Sequence, residues 1–276
     1  MRQILYNSIR FVNIHKIIIP TEGSNYMNYV QVKDVVFKDG NPKICVPITG
    51  ITDYQILNEL ENLRYHDFDL IELRIDYYEN VEDLYKVKNL LLKIKKRFTK
   101  PLLFTFRTKL EGGMHEMSEE KYFSLNQAII ENKLADLVDL ELRRNEEKSK
   151  EIIALANNND VKVILSNHDF LSTPPKEEIL DTLVKMQQLG ADITKIAVMP
   201  NCEEDVLTLM AATLEMKREK ADRPFITMSM GSLGVITRLS GQFLGSCLTF
   251  ASLNKASAPG QINVKNAREA LNLLSL

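Results

Sequence analysis

The run Ile193-Thr-Lys-Ile-Ala-Val-Met-Pro200 decides the reading of this chain. It is short and apolar, with Gly190 before it and Pro200 at its end, and so reads as a buried strand rather than a helix. Strands of parallel sheets are covered on both faces, which takes Lys195 out of water whichever way it points. A buried ammonium has three fates: it pairs with a carboxylate, joins a network of acceptors, or gives up its proton. Desolvation lowers a lysine's pKa, and a neutral amine in a dry site forms Schiff bases with carbonyl compounds. On this stretch alone, a structural ion pair and a nucleophilic amine are equally good readings.

Working outward, strand-like runs recur at 43–48, 69–75, 101–107, 137–142, 162–168, 193–199, 225–230 and 246–251. Between and after them lie helical patterns at 53–65, 81–97, 118–132, 146–158, 176–189, 203–217, about 233–243 and 264–274. Ser118-Glu-Glu-Lys121 and Thr173-Pro-Pro-Lys-Glu177 carry the capping, proline and acidic residues of a helix start. Eight strand–helix pairs with short links are the count of an α/β fold of the (β/α)8 TIM-barrel type. An open doubly wound sheet shows the same alternation and is the competing arrangement. Ahead of the barrel, Tyr29 to Phe37 alternates and Lys38-Asp-Gly40 supplies a turn before Pro42, which predicts an N-terminal β-hairpin turning at Asp39-Gly40. Residues 1–26 read as an extension without chemistry, and 27–276 as one catalytic domain.

The period of two within the strands favours the barrel. Glu72 and Arg74 share a face with Leu70, Arg107 with Leu103 and Thr105, Glu141 with Leu137 and Asp139, and His168 with Ile164 and Ser166. The opposite faces are apolar and suit a helix layer. The first faces turn polar toward the C-terminal ends of the strands, where barrels of this kind build their sites. Lys195 shares a face with Ile193 and Ala197, which seats it deeper than His168 or Arg107.

Composition narrows the classes. In 276 residues, 35 basic and 37 acidic side chains leave a net charge of −2, which argues against a broad nucleic-acid footprint. No apolar run reaches the roughly 18 residues of a membrane span. Cys45, Cys202 and Cys247 are odd in number, with no CxxC spacing, and read as core residues of a reducing compartment. His15, His66, His115 and His168 show no metal-ligand spacing either, so no metal is expected.

Glu72, Arg74, Arg107, His168 and Lys195 therefore converge on one interior. Singly, each has a plain structural reading: Arg107 with Asp139, for example, as a buried ion pair, or His168 as a hydrogen-bonded strand end. Five such groups together are hard to satisfy without a ligand. Arginines suit a carboxylate, and a histidine beside a nucleophilic lysine supplies acid–base chemistry. Glu111, before Gly112 and Gly113, is placed to swing over the mouth. Ala256-Ser-Ala-Pro-Gly-Gln261 reads as a lid with Ser257 and Gln261 at its tip, and Gly231-Ser-Leu-Gly234 as a helix start able to hold an anion.

The chain resembles the type I 3-dehydroquinate dehydratases. The resemblance is carried in order by Glu72-Leu-Arg74-Ile-Asp76, Leu102 to Arg107, Glu111-Gly-Gly113, Asp139-Leu-Glu141, Ser166-Asn-His-Asp-Phe170, Lys195 to Pro200, Ile226 to Met230 and Ala256 to Gln261. It implies a barrel that dehydrates 3-dehydroquinate to 3-dehydroshikimate without a metal or organic cofactor. By motif position, Lys195 is similar to the imine-forming lysine, His168 to the acid–base and Glu111 to the carboxylate that orients it. Glu72, Arg74 and Arg107 match substrate contacts, Arg238 the clamp on the substrate carboxylate, Ser257 and Gln261 the closing loop, and Met228 and Met230 the apolar wall. The resemblance also implies a cytoplasmic homodimer whose partner is the small-molecule substrate. Two rivals stand beside it: a class I aldolase-like barrel acting on a sugar phosphate, and a barrel that only binds a polyol acid.

Overall fold

The computed structural model describes residues 28–253 and 256–275. The expected extension at 1–26 lies outside the described residues. The chain opens with an antiparallel pair, β1 (Val30–Val32) and β2 (Val35–Phe37), in which Val30 faces Phe37 and Val32 faces Val35. The hairpin turns at Lys33-Asp34, with Lys33 at φ 53°, and not at Asp39-Gly40. Local turn chemistry favours Asp-Gly, but this register puts Val30, Val32, Val35 and Phe37 on one buried face, and that burial decides. Asp39-Gly40 instead leads from the hairpin into the barrel.

The barrel then runs β3 (Lys43–Ile48), α1 (Asp53–Leu63), β4 (Leu70–Arg74), α2 (Leu84–Arg97), β5 (Leu102–Thr105), α3 (Glu119–Glu131), β6 (Leu137–Glu141) and α4 (Glu146–Asn159). It continues with β7 (Lys162–Asp169), α5 (Lys176–Gln188), β8 (Ile193–Val198), α6 (Glu203–Glu215), β9 (Phe225–Ser229), α7 (Val235–Leu239) and α8 (Gly241–Leu244). β10 (Leu248–Ser252), β11 (Ile262–Asn263) and α9 (Val264–Leu274) end it. Strands β3 to β9 pair in parallel and in chain order, and β10 pairs in parallel with β3, Leu248 opposite Lys43. The last seam closes through a bridge between Phe225 and Ser246, where the Cys247 amide donates to the Phe225 carbonyl at 2.9 Å. The open doubly wound alternative is therefore excluded.

Helix starts follow their sequence signals, since an N-cap oxygen satisfies an amide of the first turn. Ser118 accepts from Lys121 N, and Thr52 forms a capping box with Gln55. Thr173 does not cap α5: its hydroxyl donates to the Met199 carbonyl, and the helix begins after Pro175. The pattern expected as one helix at 233–243 is two short ones, broken at Ser240. Gly241 lies so close to Pro42 and the Ser246 carbonyl that a Cβ there would meet them at 2.5 and 2.6 Å.

The two faces of each strand build two cores. Ile71, Leu73, Phe104, Val138 and Leu165 pack under the helices. Leu70, Leu103, Leu137, Ile164, Ile193 and Ile226 fill the barrel, together with the hairpin's Val30, Val32, Val35 and Phe37. Each such side chain contributes roughly 1.5–3 kcal/mol by leaving water. Cys45, Cys202 and Cys247 are free thiols, and no helix among the described residues is long and apolar enough to cross a membrane.

Candidate active site

Above the apolar barrel layer, the same inward faces turn polar. Glu72 and Arg74 come from β4, Thr105 and Arg107 from β5 and its end, Asp139 and Glu141 from β6, Ser166 and His168 from β7, and Lys195 from β8. All are buried. The register sets Thr105 beside Asp139 and Ser166 beside Lys195. A cavity of about 470 Å³, including space open at the mouth, lies over them. The residues given catalytic or substrate-contact roles by motif position all line it: Glu72, Arg74, Arg107, Glu111, His168, Lys195, Met228, Met230, Arg238, Ser257 and Gln261.

Lys195 is 4% exposed and turned inward. Its Nζ lies 3.4 Å from Asp139 Oδ2 and 4.5 Å from the centre of the Phe250 ring. The ion pair left open by the sequence is thus present, but near the outer limit of a hydrogen bond. Asp139 is held more closely by others: Oδ1 accepts from Arg107 Nη2 at 2.7 Å and from Ser166 Oγ at 2.6 Å. Burial pushes the Asp139 carboxyl up, yet the cations of Arg107 and Lys195 with these hydrogen bonds outweigh it and hold its pKa below the usual value. The lysine is therefore steered by a carboxylate committed elsewhere.

His168 and Glu111 form a second unit. Glu111 Oε2 lies 2.9 Å from His168 Nδ1 and accepts the His168 amide at 3.1 Å. This leaves Nε2 as the ring nitrogen free for a ligand. Burial, then the nearby cations Arg107, Lys195 and Arg74, hold the imidazole well below its ordinary pKa, so it is neutral. Burial also pushes the Glu111 carboxyl up to about 8; Arg107 opposes this, while the like charges of Glu141 and Asp139 add to it. Its other oxygen, Oε1, is buried without a hydrogen-bond partner among the described residues. The backbone explains why glycines follow Glu111. Gly112 has φ 85° with the Phe170 ring against it, and a Cβ on Gly113 would meet the Arg107 carbonyl at 1.8 Å.

The arginines divide by partner. Arg74 makes a two-pronged contact with Asp76, both bonds 2.8 Å, and Arg107 is shared among Asp139, Glu141 and Glu111. Glu72 Oε1 accepts from Thr105 Oγ1 at 2.9 Å. Arg238 differs, because no carboxylate faces it among the described residues. Its Nη2 donates to the Pro259 carbonyl at 2.8 Å, its Nη1 lies 3.6 Å from Met228 Sδ, and its Nε is buried and unpartnered. Burial lowers its pKa to about 10, which still leaves a cation at neutral pH. An unpaired buried guanidinium beside a cavity is a site for an anion. The helix start at 231–234 adds little, since α7 is only five residues long.

Residues 256–261 lie over the mouth. Ser257 N donates to Gln261 Oε1 and Gln261 Nε2 donates to Ser257 Oγ, both at 2.9 Å. Gly260, at φ 77°, is so close to Gly231 that a Cβ would stand 2.2 Å from the Gly231 carbonyl oxygen. The family model for type I 3-dehydroquinase matches residues 44–276, most of the chain.

The chain belongs to the type I 3-dehydroquinase family.

Its relatives in that family are close. It is 53% identical over 251 residues to the 3-dehydroquinate dehydratase of Syntrophotalea carbinolica, covering 91% of this chain and 99% of that one. The Clostridium novyi protein of the same name is 49% identical, over 90% of this chain and 98% of its own. Among solved structures, the Clostridium difficile type I 3-dehydroquinate dehydratase with covalently modified comenic acid is 48% identical at a TM-score of 0.87, covering 90% of this chain and 98% of that one.

Phe250 lines this type I 3-dehydroquinase cavity without having stood out in the sequence. Phe170 and Ala258 also line it and stood in motifs without a role, while Asp139, beneath it, stood out as a motif residue and as a partner for Arg107. The inward face of β6 was the available signal for Asp139. Phe250 carried none, because an aromatic residue in a strand reads as core. Among the described residues, no group of three or more His, Cys, Asp or Glu side chains is arranged to hold a metal ion.

Proposed function

We propose that this chain is an enzyme that dehydrates 3-dehydroquinate to 3-dehydroshikimate through a Schiff base on Lys195, with His168 as acid and base. The observation that carries this reading is one cavity shared by a buried amine, a neutral imidazole with Nε2 free, and an arginine lacking a carboxylate. It is supported by relatives named 3-dehydroquinate dehydratase at about half identity over nearly the whole chain.

The Lys195 ammonium passes a proton to His168 Nε2, the amine attacks the substrate ketone, and the proton returns to the former ketone oxygen so that water leaves, giving a cationic imine. That cation makes the neighbouring C2–H acidic, since the C–H electron pair passes into the imine to form an enamine. His168 Nε2 takes the proton while Nδ1–H donates to the Glu111 carboxylate. The enamine nitrogen then returns its electrons, the C1 hydroxyl departs as water with the proton from Nε2, and hydrolysis of the imine frees the product and Lys195. A positioned acid–base of this kind contributes on the order of 10²- to 10⁴-fold. Arg238 takes the substrate carboxylate, and Glu72, Arg74 and Arg107 contact hydroxyls under the lid of Ser257 and Gln261. Met228 and Met230 form the apolar wall. No cofactor is required, and we propose a cytoplasmic homodimer, as the family resemblance implies.

Borohydride added with 3-dehydroquinate tests the reading, because it reduces the imine to a stable amine. A mass increase on the peptide carrying Lys195 is expected. A mass increase on another peptide, none at all, or an equal one with a sugar phosphate would reject it.

A further inference from the structure

We propose that Glu141 is a positioning residue that governs where the Glu111 carboxyl sits and over what pH range His168 serves as a base. This rests on the reading of His168 and Glu111 as the acid–base pair. Glu141 does not line the cavity, and its carboxylate is 1% exposed. Oε1 accepts from the Thr108 amide at 2.8 Å and from Arg107 Nη1 at 3.1 Å. Oε2 accepts from Thr108 Oγ1 at 2.8 Å and Arg144 Nε at 3.2 Å. The Glu141 amide is itself held, donating to Tyr122 Oη at 3.0 Å.

Two routes lead from this carboxylate to Glu111. The first is mechanical. Thr108 is gripped by Glu141 through its amide and hydroxyl, and its carbonyl accepts the amides of Glu111 at 3.0 Å and Gly113 at 2.8 Å. The turn that carries Glu111 therefore hangs from Glu141. The second is electrostatic. Arg107 Nη1 stands between two carboxylates, 3.1 Å from Glu141 Oε1 and 3.5 Å from Glu111 Oε2. Glu141 holds the guanidinium on its own side and adds a negative charge in a site with little water to screen it.

The other charges around the pair come from every neighbouring element. Asp139 adds to the effect of Glu141 on Glu111, while Arg107 and Arg143 oppose it. His168 feels Arg107, Lys195 and Arg74. Asp76 accepts the amides of Arg107 and Met114, and His115 Nδ1 meets the Asp76 carbonyl, so the far side of the loop is tied too. Among these groups Glu141 alone combines the mechanical and electrostatic routes. Arg144, 18% exposed in its side chain, sits at the outer edge and offsets the charge of Glu141.

The base-competent form has a neutral ring with Nδ1–H donating to ionised Glu111, and it is lost when the pair takes up a proton as pH falls. The experiment measures kcat/KM for 3-dehydroquinate against pH in the wild type, Glu141→Gln and Arg144→Met. The His168 ring nitrogens are titrated by NMR in the same three proteins. Removing the negative charge in Glu141→Gln is expected to move the acidic limb and the ring titration to lower pH by about one unit. Removing the positive charge in Arg144→Met is expected to move both to higher pH. Reduced kcat with the limb and titration unmoved in both variants would overturn the proposal, since a merely structural anchor has that signature. Should Glu141→Gln not fold, the direction of the shift in Arg144→Met decides alone. Should the wild type not turn over 3-dehydroquinate, the proposed reaction fails, while the ring titration still decides the role of Glu141.

Discussion

Arg238 Nη2 donates to the carbonyl of Pro259 at 2.8 Å, so an arginine of the cavity that faces no carboxylate among the described residues also holds the mouth loop. Anion binding and loop seating thus draw on one side chain. Replacing Arg238 with Met removes both contacts. Loss of a charged hydrogen bond costs about 1.5–3 kcal/mol, which is roughly 10- to 100-fold in KM, with a smaller change in kcat. Because the guanidinium is desolvated without a counter-charge, Tm should stay level or rise. Steady-state kinetics and thermal unfolding check this, and an unchanged KM would remove Arg238 from carboxylate binding.

Asp139 is expected to matter first for stability. It is the shared partner of Arg107 and Lys195, all three buried, so Asp139→Ala takes from Lys195 the carboxylate that faces it and leaves Arg107 with Glu141 and Glu111 only. A loss of about 3–5 kcal/mol in unfolding free energy is expected, read from urea denaturation. Loss of activity with full stability would show that the pairing does little for the fold.

The activity should carry an acidic limb well above the ordinary histidine pKa. Burial raises Glu111 to about 8 while His168 is held low, so as pH falls through that region the added proton goes to Glu111. The carboxylate that accepts Nδ1–H is then lost, and kcat/KM should fall below about pH 8. The two groups titrate as a pair, so the profile reports the pair and neither residue alone. His168→Ala should lower kcat by about 10²- to 10⁴-fold and still allow some adduct on Lys195 to be trapped. A flat profile across this range would contradict the pairing.

Gly260→Ala tests the loop. The position has φ 77°, and a Cβ would stand 2.2 Å from the Gly231 carbonyl oxygen. A left-handed non-glycine residue costs about 1–2 kcal/mol before that clash is counted. The loop should fail to seat and KM should rise at least several-fold. Tm should hardly move, because the barrel core is untouched. Unchanged kinetics would mean that this seating is not used.

Much of this was legible in the sequence, for physical reasons. Period two sorted Glu72 and Arg74 from Ile71 and Leu73, because a strand covered by helices on one side and lining a barrel on the other needs two chemistries. Ser118 marked the start of α3 to within a residue, whereas Thr173 does not cap α5 and α2 begins at Leu84, three residues after the expected 81. What failed was decided by tertiary packing. Lys33 turns the hairpin without a glycine because burial of Phe37 and Val35 sets the register. Ser240 breaks the expected helix where Gly241 meets Pro42. The Lys195–Asp139 contact joins residues on strands that are not neighbours in the sheet, so it follows from barrel curvature and no local pattern announces it.

The hairpin has a kinetic consequence. Val30, Val32, Val35 and Phe37 belong to the apolar mass that fills the barrel at the end away from the cavity, leaving a well with a solid floor. Among the described residues, reactant, water and product then come and go on the cavity side, with the mouth as their doorway. A product molecule lingering inside blocks the next arrival outright, so the end product should act as a competitive inhibitor. How quickly the doorway clears sets an upper bound on turnover.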